Sequence, residues 1–272
     1  MLLSFRRRLT VSLCPTQIAV SVTARGWRSR SSVPVAFMFE PAASQAGWQA
    51  PLAALGDWLA QQKYSGANID IIVSDSFVRY ALIPWSGDVQ KPSEFAALAR
   101  IHFEALFGPS AAGWDIRIDR GSYGQPVMCC ALDKAFLSDL HALLKTHKLR
   151  LASLQPYFMR ACNRWRRRIK GNALFAVNEA GQCVLSSIKN GGWHSIRTVR
   201  LGHDAPADDV SISIEREVLL QGLDEQSLVY LHALAPVSAA HFKPDLKVAM
   251  LTVSAQSAAQ QPAVAMLMQG AA

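Results

Sequence analysis

The sequence predicts a two-lobe α/β protein, and two observations carry that prediction. Alternating apolar residues mark three consecutive strands between residues 9 and 39, and the same layout returns at 173–201. Apolar residues at helical spacing follow each copy. A meander of three strands that recurs with a trailing helix reads as a duplicated lobe.

The elements follow in order. Leu9, Val11 and Leu13 alternate, "CPTQ" turns the chain, and Ile18, Val20 and Val22 alternate again. Beyond "ARGWRSRSS", Val33, Val35, Phe37 and Phe39 form the third strand. Trp48, Leu52, Leu55, Trp58 and Leu59 fall on one helical face that ends near Gly66. "NIDIIVSDSFVRYALIPW" then reads as paired strands at 69–74 and 77–83. Pro92 opens a helix carrying Phe95, Leu98, His102 and Leu106, and Gly108-Pro109 stops it. Strands are expected at 114–119 and 126–132, joined through "RGSYGQ". A helix follows with Phe136, Leu137, Leu140, Leu143 and Leu144 on one face. "LRLASL" is a short strand. From Pro156 a helix runs with Phe158, Cys162, Trp165 and Ile169 as its apolar stripe. After the second meander come a helix near 213–222 and strands at 227–233 and 246–253.

The totals bound the function. The chain has 272 residues, half of them hydrophobic and 18% charged, a globular composition with enough length for a sizeable core. No apolar run reaches the roughly 18–20 residues of a membrane-spanning helix. The start, "MLLSFRRRLTVSLC", lacks the long apolar stretch of a secretory signal; its six Arg before Glu40 leave a mitochondrial transit peptide as the alternative to strands. Five scattered cysteines show no zinc or redox spacing and suit reduced thiols. Adjacent Cys129 and Cys130 point to opposite faces of any strand. The His are dispersed: His141 and His147 share no helix face, and His194 and His203 sit in separate loops, so no metal site is expected. The net charge of +8 is uneven, with six cations and no acid in "PYFMRACNRWRRRIK", 156–170, which points to an anionic neighbour.

Ser74-Asp75-Ser76 invites comparison with a hydrolase nucleophile. A nucleophile elbow needs small residues flanking its serine, and Asp75 and Phe77 do not supply them. Short polar side chains capping a turn account for the triplet.

The layout also resembles that of the actin-like (RNase H-like) superfamily, with an inserted αβ subdomain and a truncated second lobe. The stretch 69–165 is similar to the PilM-type pilus-assembly proteins, the cytoplasmic part of the secretion protein GspL, and the pilus protein MshI. There a strand ending in Pro precedes a helix, two strands and an "A-x-D/R…L…L…G-L-x-x-x-x-V-x-P" run. Ala131, Asp133, Leu137, Leu140, Leu149 and Pro156 occupy that pattern here. The resemblance implies a first lobe over 1–165 with the insertion at about 80–150. A shortened second lobe would follow over 166–256, and a flexible tail over 257–272.

It also implies a non-catalytic scaffold of a type IV pilus or type II secretion-like platform, cytoplasmic and peripheral at the inner membrane. The scaffold would dock a short segment of a bitopic, PilN-like partner. PilM-type members hold ATP with glycine-rich turns, because bare backbone approaches phosphate closely. Here the first turn, Cys14-Pro15-Thr16-Gln17, has no glycine and no acid, while Asn178-Glu179-Ala180-Gly181 keeps one of each. The expectation is therefore no cofactor and no enzyme activity. A retained ATPase is the alternative, and a basic nucleic-acid-binding module ranks last.

Arg79, Tyr80 and Trp85 are the candidate partner anchors, with packing of Trp85 on the 93–107 helix as the competing reading. Arg164, Arg166, Arg167 and Arg168 are the candidate membrane-facing patch, with a plain solvated face as the competing reading. Trp165 falls on the apolar stripe instead of interleaving with these cations on an exposed platform, which disfavours nucleic acid.

Overall fold

The structure, a computed structural model, describes residues 7–24, 30–40, 47–89, 91–119, 123–202, 206–223, 227–234, 237–251 and 262–268. In chain order the first elements are β1 (Arg7–Leu13), β2 (Gln17–Ala24), β3 (Arg30–Ser31), β4 (Val35–Met38), α1 (Gln49–Ala60), β5 (Asn68–Val73) and β6 (Arg79–Ile83). Then come α2 (Pro92–Phe107), β7 (Trp114–Ile118), β8 (Val127–Asp133), α3 (Lys134–Thr146), β9 (Arg150–Pro156) and α4 (Tyr157–Trp165). The last are β10 (Ala173–Glu179), β11 (Gln182–Lys189), β12 (Gly192–Arg200), α5 (Ala207–Leu220), β13 (Leu228–Ala233), β14 (Val248–Met250) and α6 (Pro262–Met268).

The chain divides into two compact units. Unit 1 takes Met1–Phe77, Ala135–Arg160 and Val253–Ala272; unit 2 takes Val78–Lys134 and Ala161–Thr252. The inserted segment thus groups with the later residues, not with the first lobe as the expected boundary at 165 has it.

Unit 1 is built on a sheet in the order β3-β2-β1-β5-β9, with β4 also paired to β2. β1 runs antiparallel to β2 and parallel to β5, and β5 runs parallel to β9. Leu9, Val11 and Leu13 are fully buried, as their alternation predicts. β5 buries Ile69, Ile71, Ile72 and Val73 in succession, the habit of a parallel strand covered on both faces. Arg8, Asp70 and Ser153 tie three strands together: the Arg8 guanidinium donates to the Asp70 carboxylate, and Ser153 Oγ donates to it at 2.6 Å.

The third strand departs from expectation. Val33 and Val35 are exposed, because β4 is an edge strand and its alternation has no core to face. The tail departs further. Instead of lying loose, Ala263, Ala265, Met266 and Leu267 of α6 are buried, and Ser12 Oγ donates to the Ala263 carbonyl at 2.7 Å. The small residues of "PAVAMLM" let the helix approach the strands closely.

Unit 2 holds two sheets. In the order β6-β8-β7, the smaller one packs Ala81, Ile83, Val127, Cys129 and Ala131 against Ala99 and Phe103 of α2. The buried face of α2 centres on these two, so Leu106 is exposed, contrary to the expected stripe. The larger sheet, β12-β11-β10-β13-β14, repeats the topology of unit 1. β10 is antiparallel to β11 and parallel to β13, and Val210 and Ile214 of α5 cover it. The recurrence read from the sequence is therefore a recurrence of strand order.

Candidate functional site

Ser74-Asp75-Ser76 links two sheets. β5 and β6 do not pair with each other: β5 joins β1 and β9, while β6 joins β8. The triplet carries the chain from one sheet to another through a 3₁₀ turn. Ser74 Oγ accepts the Ser76 amide at 3.2 Å. The Asp75 carboxylate accepts the Phe158 amide at 2.9 and 3.1 Å on its two oxygens, in the first turn of α4. A carboxylate there satisfies an otherwise orphaned donor and opposes the positive end of the helix dipole.

The two meander turns differ in what they offer a ligand. In the β1–β2 turn the Cys14 amide donates to Gln17 O at 2.9 Å, and Pro15 has no amide proton. The 178–182 turn buries Asn178, Glu179 and Gln182, with Gly181 at φ +84°. Among the described residues, buried Gln17 Oε1, Asn178 Oδ1 and Gln182 Nε2 find no hydrogen-bond partner.

The three candidate anchors do not converge. Neighbours on β6 face opposite ways, and Tyr80 is only 6% exposed, so its ring belongs to the core. Arg79 lies with its guanidinium 5.9 Å from the Trp114 ring and donates to Val78 O at 3.1 Å. Burial, and then Arg200, lower its pKa. Trp85 is 38% exposed and meets Tyr123 edge-to-face at 5.1 Å. Tyr123, 90% exposed, is the aromatic that sequence reading missed; a tyrosine inside the turn "RGSYGQ" was the available signal.

The four arginines have unlike surroundings. α4 ends at Trp165, where the Arg168 and Ile169 amides both donate to its carbonyl, so the expected helical stripe stops short of Ile169. Arg164 and Arg168 hold their guanidinium carbons 5.3 and 5.2 Å from the Trp165 ring centre. Trp165 itself is buried, and its Nε1 donates to His232 Nδ1 at 3.3 Å. Arg166 and Arg167 are exposed.

Burial, then Cys130 and Asp119, push the Cys129 thiol up to about 12; burial and then Asp119 push Cys162 up to about 12, and burial and then Glu179 push Cys183 higher still. Such thiols are packing groups, not nucleophiles. Among the described residues no helix is long and apolar enough to cross a membrane.

Neither a known family's sequence model nor any curated protein matches this chain. Solved structures do. It is similar to a PilM–PilN type IV pilus biogenesis complex, at 12% identity and a TM-score of 0.66 over 97% of each chain. A Bacteroides thetaiotaomicron protein with an actin-like ATPase fold and unknown function has 12% identity and a TM-score of 0.62, over 98% of this chain and 99% of that one. The cytoplasmic domain of EpsL, an inner-membrane component of the Vibrio cholerae type II secretion system, has 10% identity and a TM-score of 0.57, over 97% and 94%. The fold is actin-like.

Proposed function

We propose that this actin-like chain is a non-catalytic scaffold of a pilus or type II secretion-like assembly platform, which docks the cytoplasmic segment of a bitopic inner-membrane partner. Its likeness to PilM–PilN and EpsL, over nearly the whole of each chain, supports the machinery. The observation that carries the scaffold reading is the β1–β2 turn. Its Cys14 amide is already engaged by Gln17, Pro15 has none, and no acidic side chain stands there for Mg²⁺. Phosphate binding needs convergent free amides, and this turn withholds two. The exposed Trp85–Tyr123 pair is the aromatic anchor we assign to the partner segment. Exposed Arg166 and Arg167, with Arg164 and Arg168 beside them, would face anionic headgroups at about 1 kcal/mol each.

A second reading, a retained ATPase, is favoured by the unpartnered buried atoms of Gln17, Asn178 and Gln182 in the two turns. Thermal unfolding with and without millimolar Mg-ATP separates the two. A scaffold shows no shift. A nucleotide at ~100 times its Kd contributes about 2.7 kcal/mol, and a rise of several degrees would sink the scaffold reading.

A further inference from the structure

Unit 2 contains a cavity of about 480 Å³, formed where the end of β7, the start of β8, the segment after α4 and the β11–β12 hairpin meet. Of the partner- and membrane-facing residues assigned above, only Arg166 lines it. Its volume is that of an ordinary ligand site. Ile169, Ile188 and Trp193 give it an apolar wall, and Arg166, Asp119 and Gln125 supply polar groups.

Arg166 and Asp119 are both exposed, so they stand at the mouth, in water. Neither makes an ion pair among the described residues, although both face the same space. Arg167, Arg168 and Lys170 follow Arg166 with no acid between them, which makes this side of the mouth positive.

At the tip of the hairpin, Gly191 and Gly192 leave the wall as bare backbone. Asn190 and Gly191 take φ of +51° and +76°, the two left-handed positions of a tight two-residue turn. At Gly192 a different constraint operates. A Cβ there would lie 2.1 Å from Gln125 Oε1, so the missing side chain is what lets Gln125 lie against the hairpin. Glycine at such a place marks the close approach of another group to the backbone.

We infer that this cavity binds a short peptide segment in which one acidic residue is flanked by an apolar one. Arg166 takes the carboxylate at the water edge, where a guanidinium fork matches it. The neighbouring apolar side chain enters against Ile169, Ile188 and Trp193. Asp119 accepts a backbone N–H of the segment and repels a second carboxylate, and the Gln125 amide serves the backbone from the opposite side. An exposed charge at the mouth of an apolar hollow suits a chain lying across it better than a wholly enclosed molecule. The assignment holds whether or not the chain serves a pilus machine.

The test titrates the intact protein, by calorimetry, with capped pentapeptides whose central Glu is flanked by Leu, Ile, Val or Phe, alongside their Gln counterparts. Binding of at least one Glu peptide about tenfold tighter than its Gln counterpart is expected. Arg166→Glu should abolish it, while Arg167→Glu, outside the cavity, should change it less than about threefold at physiological salt. Gly192→Ala should weaken it as well. Because that change displaces only the flexible end of Gln125, the variant should keep its unfolding midpoint. The assignment falls if no Glu peptide binds, if Gln peptides bind equally, or if Arg166→Glu and Arg167→Glu act alike. Sedimentation with phosphatidylcholine vesicles, with and without phosphatidylserine, supplies the other arm. Equal loss of vesicle binding in both Arg variants, with the peptides silent, would make the run a plain membrane face.

Discussion

Replacing Asp75 with Ala tests the reading of the Ser-Asp-Ser turn as structure. Asp75 is 1% exposed, and its carboxylate receives the Phe158 amide at the start of α4. Its removal leaves that buried N–H unsatisfied, at about 1–3 kcal/mol, and deletes a favourable charge–dipole contact of about 0.3–1 kcal/mol. The sum, about 1.3–4 kcal/mol, is large for one polar side chain in a chain of 272 residues. It corresponds to a fall of roughly 3–15 °C in the calorimetric midpoint. Asp75→Asn keeps an acceptor without the charge and should fall between Ala and wild type. Ser74→Ala and Ser76→Ala leave the Phe158 amide its carboxylate acceptor, so each should cost less than Asp75→Ala. A loss below about 0.5 kcal/mol for Asp75→Ala, or a larger one for either serine, would refute the capping argument.

Two further measurements follow. Burial works to raise the Asp70 pKa, but hydrogen bonds from Arg8 and Ser153 hold it below its ordinary value. A depressed carboxylate stabilises the fold above its unfolded pKa of about 3.9 and loses that contribution as pH falls through the lower folded value. Asp70→Asn should therefore cost about 1–2 kcal/mol at pH 7, discounted because the Arg8 side chain is half exposed. The gap from wild type should close below about pH 4, and a gap that stays constant to pH 2 would show that the charge is irrelevant. Thiol labelling at pH 8 should reach half-buried Cys130 first. With pKa values near 12, Cys129 and Cys162 are only about one part in ten thousand thiolate, so they should label only after urea unfolding; rapid native labelling of either would contradict their burial.

The sequence disclosed the periodic parts of this molecule and hid those decided by distant partners. Leu9, Val11 and Leu13 alternate because one face of β1 meets a core, and that signal is local. Val33 and Val35 alternate just as well, yet lie exposed, since nothing in a strand states whether it will be an edge. β5 and β6 were expected to pair because consecutive strands usually do. They join different sheets instead, and Asp75 between them caps a helix that starts 82 residues later in the numbering, at Tyr157. Tyr80 was hidden for a related reason: "VRYALIPW" shows the aromatics but not which face of β6 is covered, and Tyr80 lies in the core while Trp85 stays exposed. Arg166 was singled out for its charge. It lines a cavity together with Gln125 and Gly192, residues far from it in sequence, and no local pattern reports that.

The seating of α6 on β1 bears on the order in which this protein can be made. The hydrogen bond from Ser12 to Ala263 spans 251 residues. At translation speeds of about 5–20 residues per second, the first strand waits roughly 13–50 s for the helix that covers it. During that interval one flank of the unit 1 sheet is bare apolar surface on a nascent chain. Unit 2 takes nothing beyond Thr252, so both its segments have been synthesised before α6 is. The half of the molecule that begins first is thus completed last, and its exposed flank is where a chaperone would be expected to engage.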